Sequence, residues 1–93
     1  MSIADIAAKL KSRVESGSFD GSVKFDTGGD GVLVIDGNTI STTDRPADCT
    51  IRLSLSDFED LLSGELSPTT AFMTGKLKIE GDMSIAMSLQ QLL

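Results

Sequence analysis

Cys49, Ile51, Leu53 and Leu55 alternate with Thr50, Arg52 and Ser54, and no other run in the chain constrains the fold as tightly. Strict period-two alternation puts every apolar side chain on one face of an extended strand. Such a strand needs a sheet with one face covered, so the rest of the chain must supply both strand partners and a cover. Pro46 lies just upstream and cannot donate to a central ladder, so 44–48 reads as a crossing loop. Before that loop, 22–26 alternate as a half-exposed strand and the Thr-Gly-Gly-Asp-Gly stretch at 27–31 is a tight hairpin-type turn. Val32 to Ile35 make a second strand, Asp36, Gly37 and Asn38 a second turn, and the polar, β-branched 39–43 an edge or solvent-facing third strand. Leu77 and Ile79, alternating with Lys76, Lys78 and Glu80, supply a fifth.

The cover comes from segments with helical spacing. Ile3, Ile6, Ala7, Leu10 and Val14 fall on one helical face behind Ser2, with Asp5 completing an imperfect capping box and Gly17 breaking the period. Ser56 and Glu59 form a second box before Leu61, Leu62 and a stop at Gly64. Ser67 and Pro68 open a short helix through Ala71, Phe72 and Met73 to Gly75, and Gly81 and Asp82 start a last helix that runs to Leu93. With 93 residues, one core is all the chain can close. The expectation is a single α+β domain over 1–93: a five-stranded sheet, mixed or antiparallel, with the first and last helices on the same face.

The available chemistry is narrow. The absence of His excludes a His-based catalytic centre, and one Cys excludes a Cys/His zinc site and a disulfide scaffold. A net charge of −6 argues against a nucleic-acid footprint, since the densest basic sets are only Lys9, Lys11, Arg13 and the pair Lys76, Lys78. Asp26, Asp30, Gly31 and Asp36 do not make a calcium loop: Gly28 and Gly37 stand where ligands belong, so these are turn-forming acids. Asp57, Glu59 and Asp60 are expected in the first turn of a helix, complementing its dipole rather than serving as an acid–base pair. No nucleophile elbow and no phosphate-binding glycine motif occurs. Neither an enzyme nor a resident cofactor or metal is expected. A lone Cys49 in a strand reads as a core thiol in a reducing compartment, and the amino terminus has no secretory apolar core, so a cytoplasmic protein is expected.

The carboxyl-terminal helix is more informative. Ile85, Ala86, Leu89, Leu92 and Leu93 make one broad apolar face, and Met83, Met87 and Gln90 extend it sideways. Three readings fit this width: a core helix, a lid over an apolar cavity, and a helix that inserts at a membrane surface.

The stretch from Phe72 to Gln90, FMTGKLKIEGDMSIAMSLQ, closely resembles the sterol carrier protein type-2 domain, also called the non-specific lipid-transfer protein family. The stretch PADCTIRLSLSDF before it resembles that family's fourth strand and capped helix, and GDGVLVIDG its hairpin, so the likeness covers almost the whole chain. The resemblance implies helices on one face of the sheet and, between sheet and helices, an apolar tunnel that takes fatty acids, acyl-CoA, sterols or phospholipids. By position it implies that Leu62, Phe72, Leu77, Ile79, Met83, Met87 and Gln90 line the tunnel. Gln90 is then either the one polar handle among apolar neighbours or an exposed helix residue. The implied partner is a lipid or fatty acyl ligand; the acidic charge balance excludes nucleic acid and makes attraction to an anionic membrane weak, so membrane contact is expected to be transient at most. A protein-interaction module that docks a partner through the last helix is the alternative. Two departures stand out: Leu33 replaces the aromatic residue common on the second strand, and the sequence ends at Gln91, Leu92 and Leu93 without a peroxisomal address, so organelle targeting is not expected.

Overall fold

The first helix, α1 (Ile3–Ser16), starts where the sequence places it. The Ser2 amide donates to Asp5 Oδ2 at 3.0 Å and the Asp5 amide to Ser2 Oγ at 3.2 Å, a reciprocal cap that satisfies two otherwise orphaned donors. Those bonds hold the Asp5 carboxyl below its ordinary range, the Ser2 amide contributing most. Ile6, Leu10 and Val14 are fully buried along the inner face. The computed structural model describes residues 2–16 and 21–89.

Five strands form one mixed sheet: β1 (Ser22–Asp26), β2 (Val32–Asp36), β3 (Thr39–Ser41), β4 (Cys49–Arg52) and β5 (Lys78–Gly81), in the order β3-β2-β1-β4-β5. β1 and β4 pair in parallel and the other pairs are antiparallel. Register builds two apolar rows across the inner face: Ile40, Ile35, Val23 and Cys49 in one, Leu33, Phe25, Ile51 and Ile79 in the other. Thr50 and Arg52 point away from that core, as the alternation predicts. Helices α1, α2 (Leu55–Ser63), α3 (Pro68–Met73) and α4 (Met83–Leu89) all contribute to the same core cluster. Its centre is the stacked pair Phe25 and Phe58, with ring centroids 4.6 Å apart.

Local expectations are corrected at the β4–α2 junction and at the end of the third strand, while the 27–31 turn closes the β1–β2 hairpin as expected. Strand β4 stops at Arg52, and the second helix begins at Leu55, with Ser54 rather than Ser56 as its cap: the Asp57 amide donates to Ser54 Oγ at 3.0 Å. The earlier start brings Phe58 and Leu61, three residues apart, onto the buried face. It also removes Glu59 and Asp60 from the first turn, leaving Asp57 alone there. The third strand ends at Ser41 instead of residue 43, because the Thr43 amide turns back to Ser41 Oγ at 3.1 Å. The 27–31 turn is a short 3-10 turn at Gly28–Asp30, closed by the Thr27 amide and hydroxyl on the Gly31 carbonyl at 3.0 and 2.6 Å.

Residues 42–48 must pass over β2 and β1 to carry the chain from β3 to β4. They cross on the face away from the helices, where Lys24 Nζ meets Asp44 Oδ1 at 2.8 Å, and Val34 on that face is buried outside the main cluster. The crossing ends in a clamp: the Asp48 amide donates to Ser22 Oγ at 2.9 Å and the Ser22 amide to Asp48 Oδ2 at 3.2 Å, fixing β1 beside β4.

Candidate functional site

α3, β5 and α4 form the part of the fold where apolar side chains reach the surface. Pro68 at the first position and Ser67 before it start α3 as expected. Ala71 is its one buried residue. Gly75, at φ +78, then reverses the chain, and the Lys76 amide donates to the Ala71 carbonyl at 2.8 Å. The consequence is that Phe72 is 49% exposed and Met73 79%.

At the other end of β5 the backbone comes too close for any side chain. A Cβ on Gly81 (φ +101) would overlap the Asp48 carbonyl oxygen, and the Asp82 amide donates to that same oxygen at 3.0 Å. Asp82 Oδ1 accepts from the Ser84 amide at 2.9 Å, and α4 follows. Ile85 is buried against Gly21, where an added Cβ would sit 2.6 Å from Ile85 Cδ1. Met83 and Met87, one turn apart, are 48% and 68% exposed. Beneath the start of α4, Cys49 is a buried free thiol whose pKa is raised, first by burial and then by the Asp82 carboxylate.

The residues assigned to a tunnel by resemblance therefore occupy three environments. Leu77 and Ile79 pack against the core, Leu77 fully and Ile79 half buried. Phe72, Met83 and Met87 are exposed apolar side chains, joined by Met73, which the resemblance did not single out. Leu62 lines a cleft of about 270 Å³ between α1 and α2, with Lys9, Leu10, Arg13, Glu59, Asp60 and Ser63. Gln90 lies outside the described residues. The cleft is open and carries both charge signs on its walls, so it is not the apolar tunnel of the resemblance. Glu59 and Asp60 line it from the body of α2 rather than from its first turn.

Four helices on one face of a five-stranded mixed sheet, with an exposed apolar rim at α3 and α4, define a small α+β domain. The chain belongs to the SCP-2 sterol transfer family, whose sequence profile matches residues 4–93. It is 48% identical to human Sterol carrier protein 2 over 56 residues, 60% of this chain, and spans about 10% of that relative's length. Among solved structures, the crystal structure of Sterol Carrier Protein 2 Like 2 from Aedes aegypti superposes with a TM-score of 0.82 at 20% identity, covering 100% of this chain and 97% of that one. The solution structure of palmitated SCP2L2 from the same mosquito gives a TM-score of 0.79 at 21% identity, covering 99% and 94%. At these identities the two structures establish the shared fold.

Proposed function

We propose that the chain is a cytoplasmic carrier that binds fatty acids, acyl-CoA or sterol-like lipids by burial and performs no chemistry on them. One observation carries the reading. In a core that otherwise buries its large apolar side chains, the exposed ones among the described residues fall between positions 72 and 87, on the two helices flanking β5. Of the tunnel candidates, Phe72, Met83 and Met87 offer that surface directly, while Leu77 and Ile79 would form walls reached when α4 moves; Leu62, in the α1–α2 cleft, stands apart from it. The palmitated mosquito relative supports the ligand class. Ten methylenes removed from water contribute about 8 kcal/mol at about 0.8 kcal/mol each, the range of micromolar binding.

The test is urea unfolding with and without palmitate. A ligand that binds only the folded chain raises its stability by about 2.7 kcal/mol at a hundredfold excess over Kd. No shift with palmitate, oleoyl-CoA or cholesterol, together with a defined complex with a partner protein, would favour the docking module instead.

A further inference from the structure

The sulfur atoms of the chain are divided by exposure. Cys49 is a buried thiol whose pKa is raised, so little thiolate forms and reagents in solvent reach it poorly. The thioethers lie at the opposite extreme. Met73, Met83 and Met87 are 79%, 48% and 68% exposed, and with Phe72 they are the large apolar side chains left to solvent among the described residues. No described Leu, Ile or Val is exposed in this way. Wherever the described surface keeps a large apolar aliphatic side chain in water, it is therefore a methionine. The thioether is unbranched and polarisable, which suits a surface that adapts to an apolar ligand, and it is also the aliphatic side chain that peroxides oxidise. Met83 and Met87 stand one turn apart on α4 and share a face, while Ile85, between them in sequence, turns inward and holds the helix.

We propose that Met83 and Met87 are a reversible oxidation site through which hydrogen peroxide releases the bound acyl ligand. The inference rests on the carrier reading and adds regulation to its site. At each residue the thioether sulfur attacks one peroxide oxygen: the S–O bond forms and the O–O bond breaks. The proton on the transferred oxygen passes to the departing hydroxide, which leaves as water. Sulfur is oxidised to the sulfoxide by the electron pair that reduces the peroxide. Without ligand, the new oxygens on these exposed side chains stay hydrated, and the fold loses little because Ile85 rather than either methionine anchors α4. Against a buried acyl chain the same oxygens must give up water with no replacement partner, so oxidation is felt in affinity and not in stability. Met73, on α3, is more exposed still and serves as the control for oxidation away from α4.

The experiment measures palmitate affinity before and after treatment with hydrogen peroxide, with peptide mass spectrometry following the added oxygen at each methionine. Conversion of Met83 and Met87 is expected to weaken binding about tenfold, toward the low end of what an unpaired polar group costs on burial, while the urea midpoint of the ligand-free protein stays where it was. Methionine sulfoxide reductases are expected to restore the affinity. Across variants the readout is the ratio of treated to untreated affinity, whatever the starting value of each. That ratio matches wild type in Met73→Leu and in Cys49→Ser, and no change on treatment remains in Met83→Leu with Met87→Leu. A peroxide effect that persists in the double variant, or vanishes in Met73→Leu or Cys49→Ser, places the sensitive sulfur elsewhere and overturns the proposal. A loss of affinity that travels with a lower ligand-free midpoint does the same, because it marks damage to the fold. Untreated protein that binds no palmitate sinks the carrier reading and this inference with it; protein that binds palmitate and keeps its affinity with both residues oxidised sinks this inference alone.

Discussion

α1 and α4 cover the same face of the same sheet and are held to it very differently. α1 puts Ile6, Leu10 and Val14 wholly into the core and closes its first turn with a reciprocal Ser2–Asp5 cap. Of the described side chains of α4, Ile85 is the buried one, while Met83 and Met87 face outward. At about 1.5–3 kcal/mol for each large aliphatic side chain buried, the first helix holds roughly three times the anchoring of the described part of the second. The carrier reading gives the two helices different parts: α1 is the wall, and α4 is the helix we propose moves when lipid enters.

Core truncations test that asymmetry most strongly. Ile6→Ala, in the wall, is expected to lower stability by about 2–5 kcal/mol in urea unfolding, because a fully enclosed site collapses only partly. Ile85→Ala, the anchor of α4, is expected to cost about 2 kcal/mol, the low end of the same range, and to speed labelling of Cys49 by a small thiol reagent. If Ile85→Ala costs as much as Ile6→Ala and leaves Cys49 shielded, the two helices are equally fixed. A smaller effect belongs to Ser54→Ala, about 1 kcal/mol through loss of the Asp57 amide cap, with ligand uptake retained since α2 sits away from α4. Met87→Ala is expected within about 0.5 kcal/mol of wild type without ligand, but to weaken palmitate binding.

The thiol adds a pH dependence. Cys49 is held above its ordinary range in the fold, so the unfolded chain loses this proton first as pH rises. The contribution is complete below the ordinary thiol range and is lost as pH rises from there through the raised value of the folded state. Cys49→Ser is expected to flatten the alkaline decline in the unfolding midpoint, and an unchanged decline would remove the thiol as its cause.

How much of this was legible in the sequence varies with the kind of information. α1 and the sheet could be read because period and alternation report directly on which face is buried: Ile6, Leu10 and Val14, then Val23, Phe25, Cys49 and Ile51. The β4–α2 boundary could not, since Ser54–Asp57 and Ser56–Glu59 both fit the capping pattern and Leu55 suits either the end of a strand or the start of a helix. The candidate site was harder again. Phe72, Leu77, Met83 and Ile85 are all apolar, and nothing in the apolar pattern of their helices and strand tells a residue that meets a filled core from one that meets open space. The exposed apolar corner appears only once the turn at Gly75 is placed.

The central claim is that α4 moves over a lipid site while α1 stays fixed, and amide hydrogen exchange with and without palmitate measures it most directly. The account expects α4 amides to exchange markedly faster than those of α1 in the free protein, and palmitate to slow α4 while leaving α1 unchanged. Equal protection of the two helices, or an α4 indifferent to palmitate, would contradict it.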